Sequence, residues 1–178
     1  MFEDYRVTKT EWNRVLSRFK RSFNQQLEYS LEQFDVCDIH PTSLFIQHSR
    51  IDFAKRLIHK LQEVHIELFE PICLVRPSSI RIVPPPIIEN RQGKLVLCDG
   101  THRITALREM GIPRVTAMLV TNTTLPLAGD VTKWEDITFN DNHYHACENF
   151  RNYNHEGFSG YSKFCNGVGF ALAKGEQE

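Results

Sequence analysis

No two cysteines of the chain form a C-x-x-C pair: Cys37, Cys73, Cys98, Cys147 and Cys165 are odd in number and widely scattered. That spacing argues against a disulfide framework and a zinc finger, and it makes reduced thiols the default. Long apolar runs are missing too. Nothing approaches the roughly 20 consecutive apolar residues of a membrane span, and Met1 to Lys9 lacks the apolar core of a signal peptide. A soluble cytoplasmic protein without a membrane partner is therefore expected. Neither sign of charge is in excess: 21 Lys and Arg stand against 22 Asp and Glu, for a net charge of -1. Such a chain exerts no overall pull on polyanions, so nucleic acid is not a favoured partner, although a local basic patch stays open. No repeat or low-complexity tract is present.

What the chain does have is material for a core. Its 178 residues, 41% hydrophobic and 24% charged, suit one compact domain with an appendage. From Thr8 onward, Trp12, Leu16, Phe19, Phe23, Leu27, Leu31 and Phe34 recur at steps of three and four, which predicts one long amphipathic helix. Thr8 followed by Glu11 matches a capping box at its start. Lys9, Arg14, Arg18, Lys20 and Arg21 tilt its first half toward positive charge, for which a solvated face is the commoner explanation. A second helix is predicted from Ile51 to Val64, with Ile51, Ala54, Leu57, Ile58 and Leu61 on one face and Ser49 or Asp52 as cap.

Strand patterns follow. Phe69 to Val75 is rich in β-formers, Arg81 to Val83 is short, and Pro84, Pro85 and Pro86 end pairing because proline has no N–H to donate. Ile87 and Ile88, turn chemistry at Asn90 to Gly93, and a buried strand from Lys94 to Cys98 come next. The region after Pro126 has weak periodicity, with a helix expected within Asn142 to Asn152. The predicted organisation is a helical segment over 1–65, a mixed α/β core over 66–138, and an aromatic, polar extension over 139–178 that packs on the core.

The chemistry concentrates in Asp99-Gly100-Thr101-His102-Arg103. A strand ends there in a glycine turn and a helix begins, marked by Ile104, Leu107 and Met110 and stopped by Gly111 and Pro113, before Val115 to Val120 returns as a strand. A helix start presents unpaired N–H groups and the positive end of a dipole, which together attract a phosphate. Gly100 allows close approach of the backbone. Thr101 can add a hydroxyl, and His102 and Arg103 add donors whose charge suits an anion. Asp99 is the odd member, because a carboxylate repels a phosphate unless a divalent cation bridges them or it takes a proton. It therefore points to magnesium or to base catalysis. Each residue also has a plain structural reading: Asp99 or Thr101 as an N-cap, His102 as a core residue, Arg103 as a surface ion-pair partner.

The segment from Ile72 to Val120, with Pro85-Pro86-Ile87-Ile88, Gly93-Lys94-Leu95-Val96-Leu97 and DGTHRITALREMGIPRVTAMLV, resembles the core of the ParB/sulfiredoxin superfamily. The resemblance implies a small α/β fold in which the G-x-H-R box, here Gly100, Thr101, His102 and Arg103, cradles nucleotide phosphates. Sulfiredoxins carry a catalytic cysteine where this chain has Thr101, which disfavours sulfinic-acid reduction. Chromosome-partitioning ParB proteins carry a doubly basic box and a downstream helix-turn-helix, and neither is evident here. The Asp-Gly turn is most similar to that of the superfamily's free serine kinases. That similarity implies an ATP- or ADP-dependent transferase acting with magnesium on a small, serine-like hydroxyl metabolite, with Asp99 and His102 as catalytic candidates and Asp99 as the magnesium ligand. The alternative is a non-catalytic, nucleotide-responsive or DNA-associated module. Those kinases use a glutamate base in the loop after the first strand, and no acidic residue lies between Arg76 and Pro86. A first strand near Phe34 to Ile39 would bring forward Asp38 and Asp52, with Glu63 further along.

Three other groups carry weaker signals. His143, His145 and Cys147 alternate, so an extended segment would turn all three one way, toward a metal or simply toward solvent. Trp134, beside Glu135 and Asp136, could flank a substrate, but packing against a sheet edge is commoner. Phe150, Tyr153, His155, Phe158 and Tyr161 could stack a base, with core packing the more frequent role.

Overall fold

The computed structural model describes residues 6–11, 13, 27–76, 79–142 and 145–159. Among these, ten strands form three sheets that combine with the α-helices His48–Glu63 and Thr101–Glu109, and with helical residues at 155–159, in a mixed α+β architecture. The central sheet has the order β2-β9-β7-β8-β3, formed by Glu28–Asp35, Arg114–Thr121, Ile87–Arg91, Lys94–Asp99 and Ile39–His40. Its β2/β9 and β7/β8 pairs are antiparallel, while β9/β7 and β8/β3 are parallel. A smaller sheet joins β1 (Arg6–Lys9), β5 (Ile72–Arg76) and β6 (Ser79–Val83), and β4 (Phe45–Ile46) pairs with β10 (Thr138–Phe139).

Alternation along the central strands sends side chains to two cores. Ile88, Leu97 and Ala117 join the cluster formed with α1 (His48–Glu63) and α2 (Thr101–Glu109), while Ile87, Met118 and Val120 join Cys73, Ile82 and Leu125. Helix α1 buries Ile51, Ala54, Leu57, Ile58 and Leu61, the five positions its spacing predicts. Its start differs from expectation. The cap position is Gln47, which makes no side-chain cap bond, and the backbone N–H of His48 instead donates to Oδ1 of Asp141 at 2.8 Å.

The long N-terminal helix is corrected where it can be seen. Thr8 lies in β1 opposite Cys73, so it starts no helix, and Leu31 and Phe34 lie in β2. An eight-residue ladder, from Glu28 opposite Thr121 to Asp35 opposite Arg114, overrides the local three-four spacing, because pairing with a distant strand satisfies every second backbone group that a helix would satisfy locally. The expected helix over 14–26 lies outside the described residues. Among the described residues of the 1–65 segment, Asn13 and 48–63 are α-helical, Val36–Asp38 is a 3-10 turn, and strands go to all three sheets. Near the C-terminus, the helix expected within Asn142 to Asn152 is reduced to a 3-10 turn, Ala146–Asn149.

Candidate functional site

The strand-turn-helix-strand unit forms as its sequence predicts: β8, Gly100, α2, β9. Gly100 adopts φ 103°, which aims the chain from the sheet into the helix, and its carbonyl accepts the N–H groups of Arg103 (2.9 Å) and Ile104 (3.0 Å). Among the described residues no acceptor meets the N–H groups of Thr101 and His102. These are the orphan donors of a helix start.

The side chains of the box are arranged differently from the open cradle expected of them. Thr101 is buried and its hydroxyl shares a 3.2 Å hydrogen bond with Ser43, tying the 41–47 loop to the turn rather than facing a ligand. Thr42 fastens the same loop by donating to the carbonyl of Leu97 at 3.2 Å. His102 accepts the backbone N–H of Gln47 on Nε2 at 3.2 Å, so its proton sits on Nδ1. Burial first, then Arg50, with Arg103 adding to them and Asp99 opposing, lowers its pKa to about 4. The ring is therefore neutral at pH 7 and does not supply the positive charge expected of it. Its role is to join the starts of α1 and α2.

Arg103 is held from three sides. Its guanidinium donates to Asp99 Oδ2 at 2.8 Å and to the carbonyl of Pro84, and it lies over the ring of Phe69, 5.6 Å from the centroid. Asp99 stays one-third exposed. This pair answers the puzzle of a carboxylate beside an anion site: Asp99 is neutralised by Arg103 within the box.

Acid titration of stability tests the assignment of His102. Because the fold holds the neutral ring, its contribution is fully present above pH 6.5 and is lost as pH falls through the window from 6.5 to about 4. The full shift corresponds to about 3 kcal/mol, and the ring's partial exposure reduces the expected loss to about 2 kcal/mol. Urea unfolding between pH 7 and pH 4 should show this slope in the wild type and not in His102→Gln. An unchanged slope in the variant would contradict the assignment.

The remaining candidates fall elsewhere. Asp38, Asp52 and Glu63 are exposed, and Glu63 pairs with Lys60 at 2.9 Å, so among the described residues none is linked to the Gly100 turn. His145 and Cys147 belong to the 3-10 turn and its cap rather than to an extended strand, and His143 lies outside the described residues. No group of three metal-ligating side chains occurs among the described residues. Trp134 packs at the sheet edge, donating from Nε1 to the carbonyl of Ile39 at 2.7 Å with Arg108 over its ring. Phe150, Tyr153 and Phe158 pack on one another, with ring centroids 5.8 to 6.0 Å apart. Cys98 lies in β8, where burial and nearby Glu89 push its thiol well above the usual range, as suits an inert cysteine.

Sequence reasoning missed Ser43, Gln47, His48, Arg50 and Asp141. Asp141 reaches the start of α1 across 93 residues, donating nothing and accepting both the His48 backbone N–H and, on Oδ2, its Nδ1–H at 2.7 Å. Those two hydrogen bonds hold its carboxyl below the usual range. No local pattern encodes such a contact.

Among the described residues, no helix is long and apolar enough to cross a membrane. No family model matches the chain, and no curated protein matches it. Among solved structures it is similar to the crystal structure of protein Atu1540 from Agrobacterium tumefaciens, with 14% identity and a TM-score of 0.33, over 52% of this chain and 39% of that one. The match thus spans well under half of that protein's length, and a likeness of this size carries no argument about fold or function.

Proposed function

We propose that this chain is a nucleotide-binding protein of the ParB/sulfiredoxin type, which moves a phosphoryl group from ATP or ADP to the hydroxyl of a small, serine-like metabolite. The observation that carries this reading is the Gly100 turn, where the orphan N–H groups of Thr101 and His102 and the start of α2 lie beside the Arg103–Asp99 pair. Those donors and the helix dipole suit a phosphate, and Arg103 adds a guanidinium that a phosphate oxygen would share with Asp99. Gln47, bonded to His102, brings the start of α1 and Arg50 to the same place. The start of α1 thus neighbours the box through His102, while its own first N–H groups are taken by His102 and Asp141.

Asp99 fits magnesium as the chain's single ligand, since its carboxylate is partly exposed and magnesium is commonly held by one or two carboxylates together with phosphate oxygens and water. When bound, the ion would offset phosphate charge. The chain's own part is to orient the nucleotide through the backbone cradle and Arg103, and phosphoryl transfer depends chiefly on such positioning and charge compensation.

Calorimetry with ATP or ADP and magnesium tests the cradle. Arg103→Ala should weaken binding by about tenfold or more, as expected for loss of a charge-assisted contact. Absence of binding by both nucleotides at millimolar concentration, or equal binding by the variant, would refute it. Incubation with a pool of hydroxyl metabolites, followed by mass spectrometry, tests transfer. Asp99→Asn should bind nucleotide without turnover.

A second reading, a non-catalytic nucleotide-responsive or DNA-associated module, draws on one observation: among the described residues no carboxylate besides Asp99 meets the Gly100 turn. A DNA shift at physiological salt without any phosphorylated product would favour it.

A further inference from the structure

Transfer to a hydroxyl wants a base, and the box itself offers none that is free for the task. Asp99 is engaged by Arg103, and the Nε2 lone pair of His102 is taken by Gln47. One residue beyond Gln47, however, stands a second imidazole with the opposite disposition. His48 donates from Nδ1 to Asp141 Oδ2 at 2.7 Å, and its ring stacks on Phe139 with centroids 3.9 Å apart and planes 13° from parallel. Asp141 is the better-ionised partner, held below the ordinary carboxyl range by the two His48 hydrogen bonds, so it only accepts and the proton belongs on Nδ1. That leaves the lone pair on Nε2. Among the described residues nothing meets it, and the side chain is 58% exposed.

Two restraints distinguish this pair from a chance surface contact. Asp141 fixes the tautomer while also binding the His48 backbone N–H at 2.8 Å, so the carboxylate is anchored twice to one residue. The stack on Phe139, itself half exposed, holds the ring in one plane. Gln47, the residue before His48, donates its backbone N–H to Nε2 of His102, the second residue of α2, so His48 stands one residue from the backbone that meets the box.

Resting on the phosphotransferase reading above, we propose that His48 is the general base that activates the acceptor hydroxyl, with Asp141 as its positioning residue. Nε2 takes the hydroxyl proton as the acceptor oxygen attacks the terminal phosphorus. The new O–P bond forms, the P–O bond to the rest of the nucleotide breaks, and its electron pair leaves with the shortened nucleotide. Asp141 stabilises the imidazolium, which then returns its proton to water. Nothing is oxidised or reduced. The acceptor implied is a small alcohol that reaches an exposed imidazole, not a group buried in the core.

Transfer and binding are measured side by side in the full chain, by mass spectrometry and by calorimetry with ATP and magnesium. His48→Gln should lower turnover by about 10²- to 10⁴-fold, the usual worth of a positioned base, with nucleotide affinity unchanged. Asp141→Asn should also lower turnover, and added imidazole should restore part of it to His48→Ala. Because both positions are exposed, thermal unfolding should show all three variants folded. Independently of turnover, ¹⁵N NMR of the ring should find His48 protonated on Nδ1 in the wild type and shifted toward the other tautomer in Asp141→Asn. Wild-type turnover in His48→Gln, or a ring protonated on Nε2 in the wild type, overturns the base assignment and leaves the phosphotransferase reading standing. Nucleotide binding without product in any hydroxyl pool overturns the transferase reading, and the base with it.

Discussion

Gly100→Val should cost about 4 kcal/mol of folding stability and abolish nucleotide binding, the first through strain at positive φ together with overpacking. The backbone at Gly100 sits at φ 103°, where a β-branched side chain is sterically opposed. Space is lacking as well. A Cβ built there would stand 3.0 Å from Cβ of Pro86, 3.1 Å from a guanidinium nitrogen of Arg103 and 3.2 Å from Cα of Pro86. Relief would require moving either the proline segment or the arginine that tethers it. Gly111 separates the two causes, since it has φ 68° and a Cβ added there would meet no atom within 4 Å. Gly111→Asn should cost less than about 1 kcal/mol, because asparagine tolerates the left-handed region and meets nothing. Urea denaturation of both variants at pH 7 makes the comparison. A Gly100→Val protein as stable as Gly111→Asn would mean that the turn is not held against the proline segment.

Arg91→Ala should cost about 3 kcal/mol or more at pH 7, as removal of one member of a buried ion pair does. Glu89 sits in the central strand β7 with a side chain that is 0% exposed, and Arg91 Nε donates to its Oε2. The same guanidinium donates to the carbonyl of Leu125, closing the 122–127 loop over the second core. Burial raises the Glu89 pKa, with Arg91 and then Cys98 opposing the rise. For a carboxyl whose folded pKa is raised, the associated stability is fully present below the unfolded value near 4.5 and is lost as pH rises through the folded value. Taking away Arg91 raises the folded value further. The deficit of Arg91→Ala relative to wild type should therefore grow from pH 4 to pH 7, leaving at low pH only the part due to Leu125. Adding Glu89→Gln to Arg91→Ala should recover much of the loss at pH 7, and a double-mutant cycle measures the coupling. A deficit independent of pH would show that the guanidinium acts through packing rather than charge.

Both effects arise from residues whose importance is unequally visible in the primary structure. Gly100 follows a strand pattern and precedes a helical one, which marks a turn from local sequence alone. Glu89 carries no such mark. An acidic residue in Ile87-Ile88-Glu89-Asn90 reads as the polar position of a half-exposed strand, and it becomes a buried charge only because β7 lies between β9 and β8 with Leu125 across its face. The box divides the same way. Its backbone geometry was legible, while the partners of its side chains, Ser43 for Thr101, Gln47 for His102 and Pro84 for Arg103, come from segments 19 to 58 residues away.

By itself, the order of residues determined the elements whose information is local. The apolar face of α1 lies where three-four spacing puts it, and β8, the Gly100 turn, α2 and β9 follow from alternation, an Asp-Gly step and the Gly111-Pro113 stop, all within one short stretch. The strand state of 28–35, the neutral His102, the anchoring of Arg103 on Pro84 and the meeting of His48 with Asp141 were decided only in three dimensions. A period of 3.6 or 2 specifies which way side chains point along one element. Which atoms then meet, and so which charges survive burial, depends on the register and packing of elements far apart in the chain.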